Sequence, residues 1–261
     1  MVTIYANSVQ DASGTTSTGS YNLHVLSPLS NGVKSITATA SDTAGNISNV
    51  TSGLTVTIDT VAPTLSTSAF SYLTSQKLDF TFSENVAWSV NPYSLDLMNT
   101  ADSNSLDAGN FAESYSSGTN TATFTFPGYS GMLPDANYRA TIGAVRDVAG
   151  NGIFSDPTMT FFVLAGDANR DQAVDTTDFN ILAANFSQSG KNFGDGDFNY
   201  DGSVDTTDLN ILAANFSKSL PASPAAAAAA PSSGASPALG STATTSFSQT
   251  RIDQESVVDL I

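Results

Sequence analysis

Residues 174–189 read VDTTDFNILAANFSQS and residues 204–219 read VDTTDLNILAANFSKS, a duplication at a spacing of 30 residues with fourteen of sixteen positions identical. An acidic run precedes each copy: Asp167, Asn169 and Asp171 before the first, Asp197, Asn199 and Asp201 before the second. Oxygen-bearing side chains at alternate positions, ending in an acid beside a helical pattern, give the ligand order of a calcium loop. Such a loop uses its first, third, fifth, seventh, ninth and twelfth residues. The first loop offers Asp167, Asn169, Asp171, the carbonyl of Ala173, Asp175 and Asp178. The second offers Asp197, Asn199, Asp201, the carbonyl of Ser203, Asp205 and Asp208.

Hard oxygen donors in that number suit calcium, and two loops imply two ions. Four Asp in each loop set a formal −4 against +2, so the metal-free form is expected to be loosened or unfolded. Asp-rich turns that only cap helices would not need every ligand position filled twice. Two positions depart from the general pattern. The twelfth residue is Asp178 or Asp208 rather than Glu, which shortens the arm. The sixth is Gly202 in the second loop but Gln172 in the first, and the sharp turn there favours glycine, so the first site is expected to bind more weakly.

A helix follows each loop. The twelfth residue is expected to open it, with Thr176-Thr177 and Thr206-Thr207 just before. Phe179, Leu182 and Phe186, and likewise Leu209, Leu212 and Phe216, form a stripe expected to pack one repeat on the other across a pseudo-twofold axis. No entering helix of the EF-hand type precedes either loop, and Val163-Leu164-Ala165 runs from a strand pattern straight into Gly166-Asp167. This combination resembles the type I dockerin over residues 166–220. The resemblance implies docking to a cohesin-like module. It places recognition on Thr176, Thr177, Ala183 and Ala184 in the first copy and on Thr206, Thr207, Ala213 and Ala214 in the second. Many cellulosomal members carry Lys or Arg where the alanines stand. That departure points to a flatter, more apolar partner surface. Near-identical copies also imply that either helix can present itself to the same partner, unless they reflect only a recent duplication.

Upstream, residues 33–40 and 54–58 are β-branched, Thr-rich and of period two, with turn signals at 30–32 and 42–46. The segments ITATASDTAGNIS (36–48) and TIDTVAPT (57–64) resemble bacterial immunoglobulin-like repeats of surface adhesins. Residues 1–64 are therefore expected to be a partial module lacking its first strands. Residues 65–165 are expected to be an immunoglobulin-like β-sandwich with strands near 77–82, 94–98, 121–126, 138–142 and 158–164. DVAGN at 147–151 repeats the DTAGN of 42–46 at a spacing of 105 residues, one module length. FTFSENV, LPDANYRATI and DVAGN together resemble modules found beside calcium-loop domains in large secreted bacterial proteins. The fold class expected is thus mainly β, with a small C-terminal α-helical calcium-binding domain at 166–220. Residues 221–261, rich in Ala, Ser and Pro, are expected to be a disordered tail, with at most a short amphipathic turn at 252–261.

Net charge is −16, from 24 acids against 8 Lys and Arg, which excludes a basic stripe for nucleic acid. There is no Cys, so the domains do not rely on disulfides. No apolar run approaches the ~20 residues of a membrane span. The first residues, MVTIYANSVQ, lack a signal-peptide pattern, so an export signal is expected upstream of an extracellular or cell-surface protein.

Other candidates weigh less. Asp42, Asn46 and Asp59, or Asp147 and Asn151, would hold calcium at a module joint unless D-x-A-G-N is simply a turn. His24 stands alone, without the partners of a zinc or catalytic site. Glu84 and Glu113 are the only Glu of residues 65–165, and their spacing gives no facing carboxylate pair. Trp88 and Tyr93 are candidates for sugar stacking, although core or loop packing is the simpler account of them. Leu220-Pro221-Ala222-Ser223-Pro224 is similar to a sortase signal without the apolar span that should follow. The function expected is a non-catalytic, calcium-dependent docking region on immunoglobulin-like spacers. The alternatives are the calcium-stapled end of an adhesin without a cohesin partner, and the accessory region of a polysaccharide-degrading hydrolase.

Overall fold

The computed structural model describes residues 1–6, 9–14 and 28–222. The expectations for His24, for residues 223–250 and for 252–261 lie outside the described residues. Two units separate between Thr60 and Val61. In the first, β1 (Val2–Ala6), β2 (Val9–Gly14), β3 (Gly32–Ala40) and β4 (Leu54–Ile58) form one antiparallel sheet in the order β2-β1-β3-β4. Its Asp42 carboxylate is taken up by its own turn. One oxygen accepts the N–H groups of Ala44 and Asn46 at 2.9 Å each, and the other accepts the Asn46 amide at 2.7 Å.

The second unit begins with two facing sheets. Alternation places Leu78, Phe80 and Phe82 of β6 (Lys77–Phe82) on one buried face while Lys77, Asp79 and Thr81 stay half-exposed. Around it run β5 (Leu65–Ser71), β7 (Leu95–Asn99), β8 (Ala112–Ser116), β9 (Thr121–Thr125), β10 (Ala136–Ile142) and β11 (Thr158–Val163). The sheet orders are β5-β6-β9-β8 and β11-β10-β7. One apolar cluster lies between them, with Phe80 and Phe124 packed edge-to-face at 5.9 Å and Leu97, Tyr138, Ile142 and Val163 supplied by the second sheet. Burying each such side chain stabilises by about 1.5–3 kcal/mol. The strands expected at 77–82, 94–98, 121–126, 138–142 and 158–164 are present within a residue or two. The edge strands β5 (LSTSAFS) and β8 (AESYS) escape a periodicity search because an edge strand can leave one side polar.

Gly166 leads from β11 into the duplicated region. Here α1 (Thr176–Asn185) and α2 (Thr206–Asn215) are accompanied by the short strands β12 (Gln188–Ser189) and β13 (Ser203–Val204). Pairing is exchanged between the copies. The strand leaving the second loop, β13, pairs with β12 after the first helix, and Ser187 donates to Val204 O at 2.8 Å. Reciprocally, Val174 after the first loop accepts from Ser217 at 2.8 Å. Glycines obey the same twofold relation: a Cβ on Gly166 would stand 3.3 Å from the Leu212 Cα, and one on Gly196 would stand 2.9 Å from the Leu182 Cα.

The expected packing stripe is corrected in part. Leu182 and Leu212 are 1% exposed, but Phe179, Phe186 and Phe216 are 44%, 39% and 45% exposed. Asp178 turns into its loop, which puts residues 178, 181, 182 and 185 on the inner face and rotates Phe179 and Phe186 outward. Each helix also begins earlier than expected. Asp175 is the N-cap, Thr176 and Thr177 lie in the first turn, and Asp178 closes a capping box from the third helical position.

Glu113 on β8 lies opposite the core residue Phe124. Its Oε1 is buried without a hydrogen-bond partner, and burial pushes its pKa above the usual 4.5. A carboxyl whose folded pKa is raised loses stability as pH rises through the window above 4.5. Glu113→Gln should therefore raise the melting midpoint at pH 7.5 and lose that advantage near pH 4. An equal shift at both pH values would contradict this account.

Candidate metal centre

Each loop holds its acids with its own backbone. In the first, the Asp167 carboxylate accepts the N–H groups of Asp171 at 3.1 Å and Gln172 at 2.9 Å. Asp171 accepts from Ala173 N–H at 3.0 Å, and Asn169 Oδ1 accepts from Asp171 N–H at 3.0 Å. Asp178 reaches back from the helix, taking Ala168 N–H at 2.9 Å on one oxygen and Asp175 N–H at 2.9 Å on the other. Asp175 accepts Thr177 N–H at 2.6 Å, so the ninth loop residue is also the helix cap. The second loop repeats this set, with Asp197 held by Asp201 and Gly202, Asp201 by Ser203, Asp208 by Phe198 and Asp205, and Asp205 by Thr207. Asn199 Oδ1 accepts from Asp201, as Asn169 does from Asp171.

Sharp backbone turns make this wrapping possible. The fourth and sixth residues are left-handed in both loops: Arg170 at φ 63° and Gln172 at 71°, Tyr200 at 63° and Gly202 at 84°. Successive N–H groups then converge on the Asp167 and Asp197 carboxylates, as in a backbone nest. Gln172 occupies a conformation that costs a non-glycine residue about 1 kcal/mol or more. Its Oε1 is also buried without a partner.

Charge is what the loops leave uncompensated. Asp167, Asp178 and Asp208 are fully buried and Asp197 nearly so. Among the described residues the ion pairs are Lys77–Asp79 and Lys218–Asp135, neither of which involves a loop acid. Burial, and then the neighbouring Asp178 and Asp171 charges, push Asp167 up to about 6, and burial likewise raises Asp197. Clustered buried carboxylates with hard oxygen donors and no basic partner fit a divalent cation, and the donor number fits calcium. In each loop the Asn169 or Asn199 amide nitrogen donates to the Asp171 or Asp201 carboxylate at 2.8 Å, a lone pair that a cation would compete for.

Of the residues expected to contact a partner, the threonines are the tenth and eleventh of each loop and the alanines lie beyond it on the helices. Thr176, Thr177, Ala183, Ala184, Thr206, Thr207, Ala213 and Ala214 are all exposed. The only charged residue of either helix is the buried Asp178 or Asp208.

The sequence pattern missed a second set of contacts, made by the loops with the sandwich. The Arg170 guanidinium lies 3.7 Å from the Phe162 ring centroid and 4.3 Å from that of Tyr72, and it donates to Phe162 O at 2.9 Å. Burial pulls its pKa below the ordinary value. Tyr200, the equivalent residue of the second loop, accepts from the Gln76 amide at 3.2 Å. Two bulky residues at a left-handed position, 30 apart, were the available signal.

Both D-x-A-G-N segments form turns. The Asp147 carboxylate binds Asn151 through its backbone N–H at 2.8 Å and its amide at 2.7 Å, with Gly150 at φ 93°. Trp88 and Tyr93 are exposed, and the Trp88 indole N–H is pinned to Asp147 O.

A family model for the dockerin type I domain matches residues 165–221, the segment that contains both loops and both helices. Dockerin domains bind calcium. No curated protein matches the chain.

Two outcomes follow for the first loop. Gln172→Gly should raise its calcium affinity by about fivefold, since relief of the left-handed strain exceeds glycine's entropic cost by roughly 1 kcal/mol. Calorimetry on this variant beside the wild type is the check, and an unchanged or weaker site contradicts it. Calcium must displace the Asp167 proton, so first-site affinity should fall steeply below about pH 6 and be flat above pH 7. The metal-free protein has the opposite slope at this residue, because a raised folded pKa favours the fold at lower pH.

Proposed function

We propose that residues 166–220 are a calcium-dependent docking module that binds a cohesin-like protein module. The oxygens of Asp167, Asn169, Asp171, Ala173, Asp175 and Asp178 would hold one ion, and those of Asp197, Asn199, Asp201, Ser203, Asp205 and Asp208 a second. The supporting observation is the twofold pair of acid-lined loops whose two helices turn uncharged faces outward, within the segment matched by the dockerin family model.

The module is read as carried on immunoglobulin-like spacers. Counting the seven sandwich strands from its start, one sheet holds the first, second, fifth and fourth, and the other the seventh, sixth and third. Constant-type immunoglobulin domains have this order, which supports the reading. The described residues are read as binding and spacing elements, not as catalytic ones, in a protein that acts outside the cell or on its surface. No described helix is long and apolar enough to cross a membrane.

Thr176, Phe179, Ala183 and Phe186 follow one another along the outer face of α1, and Thr206, Ala213 and Phe216 along α2, where Leu209 is half-buried against the inner cluster. An uncharged face of this kind suits an apolar partner surface, and binding should respond weakly to salt. A second reading, in which calcium only staples the end of a surface protein, draws support from the contacts of both loops with the sandwich.

Calorimetry of the full chain with calcium should give two sites and a gain of helix. A type I cohesin module immobilised on a surface should retain the chain in calcium and release it in chelator. Thr176→Ala with Thr177→Ala should leave binding through the second helix, and the pair Thr206→Ala with Thr207→Ala should leave it through the first. Loss of binding in either double variant alone defeats the two-orientation idea. A calcium-folded chain that no cohesin retains favours the staple.

A further inference from the structure

The sandwich and the calcium pair lie in one unit, and the residues that join them are loop residues. Arg170 and Tyr200 occupy the fourth position of the two loops, between the third and fifth ligands, and both have φ 63°. Arg170 is clasped by Phe162 at the end of β11 and by Tyr72 just after β5. Tyr200 stacks on Phe193 at 5.7 Å and accepts from Gln76. Gln76 is 3% exposed, and its carbonyl oxygen is taken by Leu133 N–H of the sandwich at 2.8 Å. Phe193 in turn meets Tyr72 edge-on at 6.0 Å and donates its N–H to Leu73 O at 2.9 Å. Tyr72 and Phe162 therefore belong to the apolar cluster of the calcium pair rather than to that of the sandwich.

The fourth residue cannot leave its left-handed turn without moving the N–H groups of the fifth and sixth, which hold the first ligand of each loop. We infer that Arg170 and Tyr200 are positioning residues through which the sandwich holds both loops in their metal-binding shape, so that calcium uptake and sandwich stability form one coupled equilibrium. This inference rests on the calcium reading above. Coupling is reciprocal: if the sandwich favours the bound loop, calcium must stabilise the sandwich.

Trp88 is the only tryptophan of the chain and lies in the sandwich, so its fluorescence reports sandwich unfolding. In the full chain, millimolar calcium should raise the Trp88-detected midpoint by about 5 °C or more over chelator. Arg170→Ala should lower first-site calcium affinity by about tenfold, through loss of a stacked, hydrogen-bonded cation, with little change at the second site. Arg170→Lys should recover only part, because an ammonium lacks the planar fork. Helix content at saturating calcium should match the wild type, which a general folding defect would not allow. A Trp88 transition unmoved by calcium, while the helical signal does move, overturns the coupling and leaves the calcium reading intact. That wild-type measurement stands even if Arg170→Ala does not fold. Calorimetry showing no calcium uptake at all overturns both.

Discussion

Repulsion among buried carboxylates governs the C-terminal part of this protein. Asp167, Asp178, Asp197 and Asp208 lie in the interior, and none is joined to a Lys or Arg among the described residues. Burying an unpaired charge costs several kcal/mol, which backbone N–H dipoles offset only in part. The chain responds with left-handed turns that aim those dipoles at Asp167 and Asp197, and with capping boxes that use Asp178 and Asp208 at the third helical position. What dipoles leave, a bound cation would supply. Loop shape and helix start both follow from this requirement, because each capping box ties a loop carboxylate to the first turn of a helix.

Duplication solves a packing problem along with a charge problem. One loop with one helix has a single apolar seam and nothing to bury it against. Leu182 and Leu212 are buried because each helix finds the glycine of the other loop beside it, Gly196 or Gly166. The exchanged strands do the same for the backbone, so neither copy completes its hydrogen bonding alone. Both copies must keep their glycines, their caps and their inner leucines. The outer faces carry no such duty, and there the two helices are free to match or differ.

Much of this was legible beforehand because it is local. Ligand spacing, the buried leucines and the alternation of Leu78, Phe80 and Phe82 are short-range patterns that a fixed backbone period exposes. Phe179 and Phe186 were misassigned to the inner seam because a hydrophobic stripe does not state which way a helix is rotated. That rotation is set by Asp178, whose carboxylate is drawn into the loop. Edge strands β5 and β8 stayed hidden for a related reason, since their polar Ser and Thr are tolerated where one side meets water. Spacing marks Arg170 and Tyr200 as equivalent residues, but not the partners of the Arg170 cage. That cage depends on Tyr72 and Phe162, which lie 98 and 8 residues away in sequence and meet only when β5 and β11 share the sandwich.

The asymmetry between the loops therefore does not lie where their ligands lie. Both offer the same six positions and both make the same backbone bonds. Besides Ala168 against Phe198 and Ala173 against Ser203, they differ at the fourth residue, Arg170 against Tyr200, and at the sixth, Gln172 against Gly202. The first loop carries the greater backbone strain and also the stronger hold on the sandwich, a guanidinium fixed between two rings and a carbonyl. In the second loop glycine removes the strain at the sixth position, and the hold on the sandwich reduces to one hydrogen bond from Gln76, since the Tyr200 ring stacks on Phe193 of the duplicated region itself. A strained turn persists when its surroundings over-determine it. Here the surroundings are the sandwich, so the loop least able to keep its own shape is the one most firmly held from outside.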